Sequence, residues 1–140
     1  MKEALIIFRG LPGAGKSSIG KSFAKSNDCV FIEPDMYITD DSGNYNYSVE
    51  NFKNAVNQAK NDIKNAMQKR KKGYDVTVVY ADVLPSKKEV MDIISCIPKT
   101  ETYIVVDIVI SMRESFLRNV HGVPWNELRR MCNEWENWYE

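Results

Sequence analysis

Gly10-Leu11-Pro12-Gly13-Ala14-Gly15-Lys16-Ser17 is a complete G-x-x-x-x-G-K-[ST] run, set between the apolar segment Ala4-Leu5-Ile6-Ile7-Phe8 and a segment where Ile19, Phe23 and Ala24 recur at helical spacing. A strand buried on both faces reads as such an apolar run, so the order is strand, glycine-rich loop, helix. Glycines let successive backbone N–H groups turn around phosphate oxygens, Lys16 brings a cation to the β/γ-phosphates, and the Ser17 hydroxyl ligates Mg²⁺. The helix that follows aims its positive N-terminal end at the same anion. Leu11, Pro12, Gly13, Ala14, Gly15, Lys16, Ser17 and Ser18 are therefore the expected contacts of a nucleoside triphosphate, with ATP and Mg²⁺ as expected cofactors.

The rest of the chain repeats the alternation. Residues 30–32, 76–80 and 103–110 are β-branched or aromatic runs of strand length. Val49, Phe52, Val56, Ala59, Ile63 and Ala66 alternate steps of three and four, which predicts a helix over 49–72 with Gly73 as its C-cap. A further helix is expected from Pro85 or Ser86 to before Pro98, a short one over 113–119, and a last one over 124–139. That last helix would place Trp125, Leu128, Met131, Cys132, Trp135 and Trp138 near one face. This pattern implies a three-layer α/β fold of the P-loop NTPase and kinase type, with a mostly parallel sheet and a C-terminal helical lid. At 140 residues the expectation is one domain, 1–140.

Nineteen basic and nineteen acidic side chains cancel, which excludes a protein that coats long nucleic acid by bulk charge. The run Lys69-Arg70-Lys71-Lys72 is explained by the dipole of the helix it closes, and a nucleic-acid patch is the alternative. Cys29, Cys96 and Cys132 lack metal-ligand spacing and read as reduced core thiols, and a lone His121 cannot build a His-based zinc site. The N-terminal apolar run, broken at Arg9, is too short for a signal peptide or a membrane span, so a cytoplasmic location is expected.

The base-reading N/T-K-x-D motif of GTP switches is absent, and a kinase suits the length. Such an enzyme needs a carboxylate to take or orient the acceptor hydroxyl proton and arginines to neutralise the transferring phosphoryl group. Asp35, a few residues past the second strand, belongs at the carboxyl edge of the sheet facing the loop; Glu33 is the near alternative, and a helix N-cap is the structural role open to Asp35. Arg113 and Arg118 lie beyond the last long strand, where a lid closes over phosphates or a helix face is simply solvated.

At these residues the chain resembles a known family. Arg9-Gly10-Leu11-Pro12-Gly13-Ala14-Gly15-Lys16-Ser17, Asp35-Met36-Tyr37, Gly43-Asn44-Tyr45-Asn46-Tyr47, Arg118-Asn119-Val120-His121-Gly122-Val123-Pro124 and Arg129-Arg130-Met131 occur in the order seen in the 5′-polynucleotide kinase branch of P-loop kinases. That branch takes in the kinase half of phage polynucleotide kinase-phosphatase and the P-loop domain of the Nedd4-binding protein family. The resemblance implies transfer of the ATP γ-phosphate to a 5′-hydroxyl of DNA or RNA, with Asp35 as general base, Arg118 as the lid arginine and Arg113 as its understudy. Membranes are not expected partners, and a small nucleoside or nucleotide kinase, or an ATP-binding module without transfer chemistry, are the competing readings.

The resemblance breaks in two places. Where the family has Asp-Asn-Thr-Asn or Asp-Thr-Asn after the third strand, this chain reads Tyr80-Ala81-Asp82-Val83-Leu84; with Ala81 at the aspartate position, Asp82 is expected to reach the site only through a local register shift. Ile38 stands where phage kinases place an acceptor-holding arginine. Tyr37, Tyr45 and Tyr47 either stack on a base or cover the sheet edge, and His121 in its His-Gly-Val-Pro turn is expected to order the loop.

Overall fold

Strand β1 (Leu5–Arg9) is buried along its whole length because it has a parallel partner on each side. The computed structural model describes residues 2–119 and 122–139. Among these, β2 (Val30–Ile32), β3 (Val78–Asp82) and β4 (Tyr103–Asp107) join β1 in a four-stranded parallel sheet of order β2-β3-β1-β4. Five helices accompany them: α1 (Lys16–Ser26), α2 (Val49–Lys71), α3 (Lys87–Ile94), α4 (Met112–Arg118) and α5 (Trp125–Glu134).

Side-chain alternation along the strands builds the three layers. Leu5 and Ile7 of β1, Val78 and Tyr80 of β3 and Val105 of β4 face one way and pack with Ala59, Ile63, Val90 and Ile93 from α2 and α3. Ile6, Phe8, Val79 and Ala81 face the other way, onto Phe23 and Ala24 of α1. The expected α2 bounds hold: Ser48 caps the start by accepting from Asn51 N–H at 2.9 Å, and Gly73 follows the end at φ +98°. Ser86 caps α3 in the same manner. No helix among the described residues is long and apolar enough to cross a membrane.

The basic run at the end of α2 is partly structural. Arg70 pairs with Glu101, and its guanidinium donates to Val76 O at 3.0 Å and Lys2 O at 2.8 Å, stitching the helix end to the entry of the sheet. Of the three thiols only Cys96 is buried; Cys29 and Cys132 are partly exposed, so the core role expected of all three holds for one.

Two of the boundaries that differ from the sequence reading trace to Arg9. The run at 103–110 ends as a strand at Asp107, because β1 gives way to the loop after Arg9 and the extension has nothing to pair with. The last helix stops at Glu134 instead of running to 139. The chain then turns back so that Trp135 lies 4.0 Å under the Arg9 guanidinium and Glu136 O accepts from Arg9 Nη1 at 2.8 Å. Trp138 meets the Tyr103 ring edge-on, and the Tyr139 hydroxyl donates to Val105 O at 2.6 Å. A buried guanidinium needs free carbonyls, which a helix interior does not offer.

Arg9 also donates to Leu84 O at 3.0 and 2.6 Å and to Pro85 O at 3.1 Å, and it pairs with Asp107 at 3.3 Å. Burial pulls its pKa down while Asp107 pushes it back up. Arg9→Met should lower unfolding stability by about 3–5 kcal/mol in urea titrations, since it strands Asp107 and several carbonyls. A loss below about 1 kcal/mol would show that these groups find other partners.

Candidate functional site

The phosphate loop follows β1 directly, and two of its glycines carry backbone angles closed to other residues. Gly13 sits at φ +80° and Gly15 at φ +94°. A Cβ on Gly13 would lie 2.8 Å from Cβ of Arg118, so α4 is seated on the loop itself. The Ser115 hydroxyl fixes that seat by donating to Pro12 O at 2.5 Å. Gly15 is the N-cap of α1, no side chain caps the helix, and its first turn has no acidic residue. The amides at this end are left to satisfy an anion. Lys16 Nζ donates to Leu11 O at 3.2 Å, and burial lowers its pKa against the opposing fields of Asp82, Asp35 and Glu33.

Those three carboxylates come from the ends of β2 and β3. Ser17 Oγ donates to Glu33 Oε1 at 3.2 Å; burial raises the Glu33 pKa, an effect the Ser17 hydrogen bond and Lys21 oppose. Glu33, not Asp35, occupies the N-cap position of the short 3₁₀ turn Pro34–Tyr37, which leaves Asp35 inside the turn. The Tyr45 hydroxyl donates to Asp35 Oδ1 at 2.8 Å, and burial together with Asp35 raises the Tyr45 pKa. Tyr45 is delivered by a tight turn in which Asp40 accepts from the N–H groups of Ser42 and Asn44.

Asp82 closes β3 in regular register, with Ala81 opposite Phe8 and Asp82 opposite Arg9. The shift expected for it is unnecessary: as the last residue of the strand it lines the cleft without one. Burial raises its pKa to about 6, while the Val83 N–H at 2.8 Å, the Lys16 charge and the Tyr80 hydroxyl at 3.1 Å favour the ionised form.

A cleft of about 540 Å³ gathers these groups. Pro12, Gly13, Gly15, Lys16, Ser17 and Ser18 line it, as do Asp35 and Arg118; Leu11 and Ala14 belong to the loop but are buried beneath it. Arg113 is exposed on α4 and is not part of the lining, so its expected understudy role has no placement in the cleft. His121 lies outside the described residues. The residues that sequence reasoning missed are the Tyr45 hydroxyl as a partner of Asp35 and the Glu33 contact to Ser17. Tyr45 belongs to a segment of the family resemblance and Glu33 stands as the near alternative to Asp35, but neither contact can be read from spacing.

The donor set suits Mg²⁺. Ser17 gives its proton to Glu33, which leaves its lone pairs for a cation, and Mg²⁺ characteristically takes one or two protein oxygens together with phosphates and water. Among the described residues no group of three or more His, Cys, Asp or Glu side chains forms a closed metal cage.

No protein-family model matches the sequence, and no curated protein does. Solved structures do match. A gluconokinase from Sinorhizobium meliloti 1021 superposes with a TM-score of 0.65 at 17% identity, over 96% of this chain and 76% of that one. The fold is that of P-loop kinases. A chain of the Pnkp1/Rnl/Hen1 RNA repair complex gives a TM-score of 0.74 at 14% identity, over 93% of this chain and 43% of that one. Shikimate kinase from Aquifex aeolicus vf5 gives 0.56 at 18% identity, over 93% and 77%.

Two outcomes test the site. Lys16→Ala should weaken ATP·Mg²⁺ binding by about 10- to 100-fold in calorimetric titration, the effect of losing a charged hydrogen bond to phosphate. Asp82 binds its proton more tightly in the folded protein than in the unfolded one, so its contribution to stability falls as pH rises from about 4 through about 6. Asp82→Asn should therefore raise the melting temperature relative to wild type above pH 6, with the difference vanishing near pH 4. A constant difference at all pH values would contradict the raised pKa.

Proposed function

We propose that this chain is an ATP-dependent phosphotransferase that moves the γ-phosphate to a hydroxyl group. What carries the reading is the placement of Asp35, oriented by Tyr45, in the same cleft as the phosphate loop. The loop amides and Lys16 hold the triphosphate, Ser17 holds Mg²⁺, and Arg118 contacts the donor phosphates from α4. Mg²⁺, when bound, would supply neutralisation of the phosphate charge. Asp35 accepts the proton of the acceptor hydroxyl through its carboxylate, while the Tyr45 O–H fixes which oxygen is presented.

For the acceptor, the family resemblance implies a polynucleotide 5′-hydroxyl, and the likeness to a chain of the RNA repair complex supports that reading. A small-molecule acceptor is supported by the likeness to gluconokinase and shikimate kinase and by Ile38, which is buried where the resemblance calls for an arginine.

Labelled γ-phosphate transfer and ADP release, measured over a panel of hydroxyl acceptors, test the proposal. Asp35→Asn should lower kcat by about 10²- to 10⁴-fold while ATP affinity stays within about twofold of wild type, because the carboxylate acts on the acceptor and not on the nucleotide. If wild type and Asp35→Asn bind ATP equally and neither releases ADP with any acceptor, the chain is a nucleotide-binding module.

A further inference from the structure

The charge of the cleft narrows the acceptor, given the phosphotransferase reading above. Five carboxylates line it: Glu33, Asp35, Asp82, Glu89 and Glu127. Its described basic residues are Lys16, Arg118 and Arg130. Lys16 is committed to the phosphate loop, Arg118 pairs with Glu114 at 3.1 Å, and Arg130 is forked between Glu127 at 3.0 Å and Glu134 at 2.5 Å. A bound triphosphate takes up Lys16 and Arg118 and adds negative charge of its own.

The wall beyond Asp35 is aromatic. Tyr45 and Tyr47 stack at 6.1 Å with planes 16° apart, Tyr47 leans on Phe52 at 6.0 Å, and all three line the cleft. Along the same loop lies a second hollow of about 320 Å³, lined by the amides of Asn46, Asn51, Asn54 and Gln58 with Thr39 and Asp40. No lysine or arginine lines it. A nucleic-acid strand leaving the transfer site along this side would meet amides, aromatic rings and carboxylates, with no lysine or arginine in the lining of the second hollow to meet its next phosphate.

We infer that the acceptor is a compact hydroxyl compound without negative charge, neutral or cationic, whose ring or hydrocarbon face lies on Tyr45 and Tyr47. Like-charge repulsion in a partly desolvated cleft disfavours anions, whereas ring stacking and amide hydrogen bonds do not depend on charge. The chain would thus differ in acceptor class both from polynucleotide kinases and from kinases of carboxylate compounds.

The test keeps the ring constant and varies the charge. Full-length protein with ATP·Mg²⁺ is assayed for transfer to the 5′-hydroxyl of adenosine, of adenosine 3′-monophosphate and of a 5′-hydroxyl oligonucleotide. In parallel, anisotropy of a fluorescein-labelled oligonucleotide measures binding at low ionic strength. The expected result is that kcat/KM falls at least about tenfold from adenosine to its 3′-monophosphate, that added salt narrows the gap, and that the oligonucleotide shows no saturable binding. A preference for the phosphorylated acceptors, or saturable oligonucleotide binding weakened by salt, overturns the inference. Absence of ADP release with every acceptor instead defeats the phosphotransferase reading, and the anisotropy measurement then decides the charge argument by itself.

Discussion

The Arg9 guanidinium is the fixed point of this structure. It is fully buried at the carboxyl end of the central strand, one residue before the phosphate loop, and its donors reach β4, the segment after β3 and the chain beyond α5. A buried cation is tolerated only when its hydrogen-bonding capacity is filled, so each acceptor group is held in place by the penalty of leaving the charge unpaired. The consequence is positional. The loop begins from a strand end that cannot shift without breaking contacts in three other parts of the chain, and rigid support of this kind is what an anion-binding loop requires to keep its amides aimed.

Around Lys16 the balance is different, because charge is compensated at a distance and not by contact. Lys16 is desolvated, and Asp82, Asp35 and Glu33 supply the opposing field without a short ion pair. Desolvation of Asp82 and Glu33 is likewise only partly offset. Under the proposed function, ligand charge would complete this balance: phosphates for the lysine and loop amides, a divalent cation for the carboxylate side.

The sequence made some of this legible and hid the rest for definite reasons. The loop, the parallel sheet, the end of α2 before Gly73 and the start of α3 at Ser86 are local properties, written in spacing and residue type over fewer than ten positions. Asp35 was legible because strand ends in parallel α/β sheets face one edge. The end of the last helix was not, because Trp135 and Trp138 fit a helical stripe and only the distant Arg9 shows why the chain leaves the helix. The reach of Asp82 was likewise hidden: the expected third strand began and ended two residues early, and the strand's exact end, set by pairing with β1, decides that Asp82 borders the cleft. Charge balance in the cleft escaped as well, since the formal total of zero says nothing about five carboxylates lining one cleft.

Helix α4 combines a rigid seat and an exposed charge in seven residues. The α4 backbone cannot lift freely, because Ser115 is bonded to Pro12 and the chain at Arg118 lies against Gly13 closely enough to exclude a methyl group. The Arg118 side chain is held differently, by an exposed pair with Glu114 one helical turn away. Such a pair is worth about 0.3–0.5 kcal/mol, far less than a charge-assisted bond to a phosphate in a cleft, at about 1.5–3 kcal/mol. The proposed contact of Arg118 with a donor phosphate therefore costs little more than the Glu114 pair, and the helix stays docked. Under the proposed function, the electrostatic step that closes the site then needs a change of the Arg118 rotamer and no displacement of the fold.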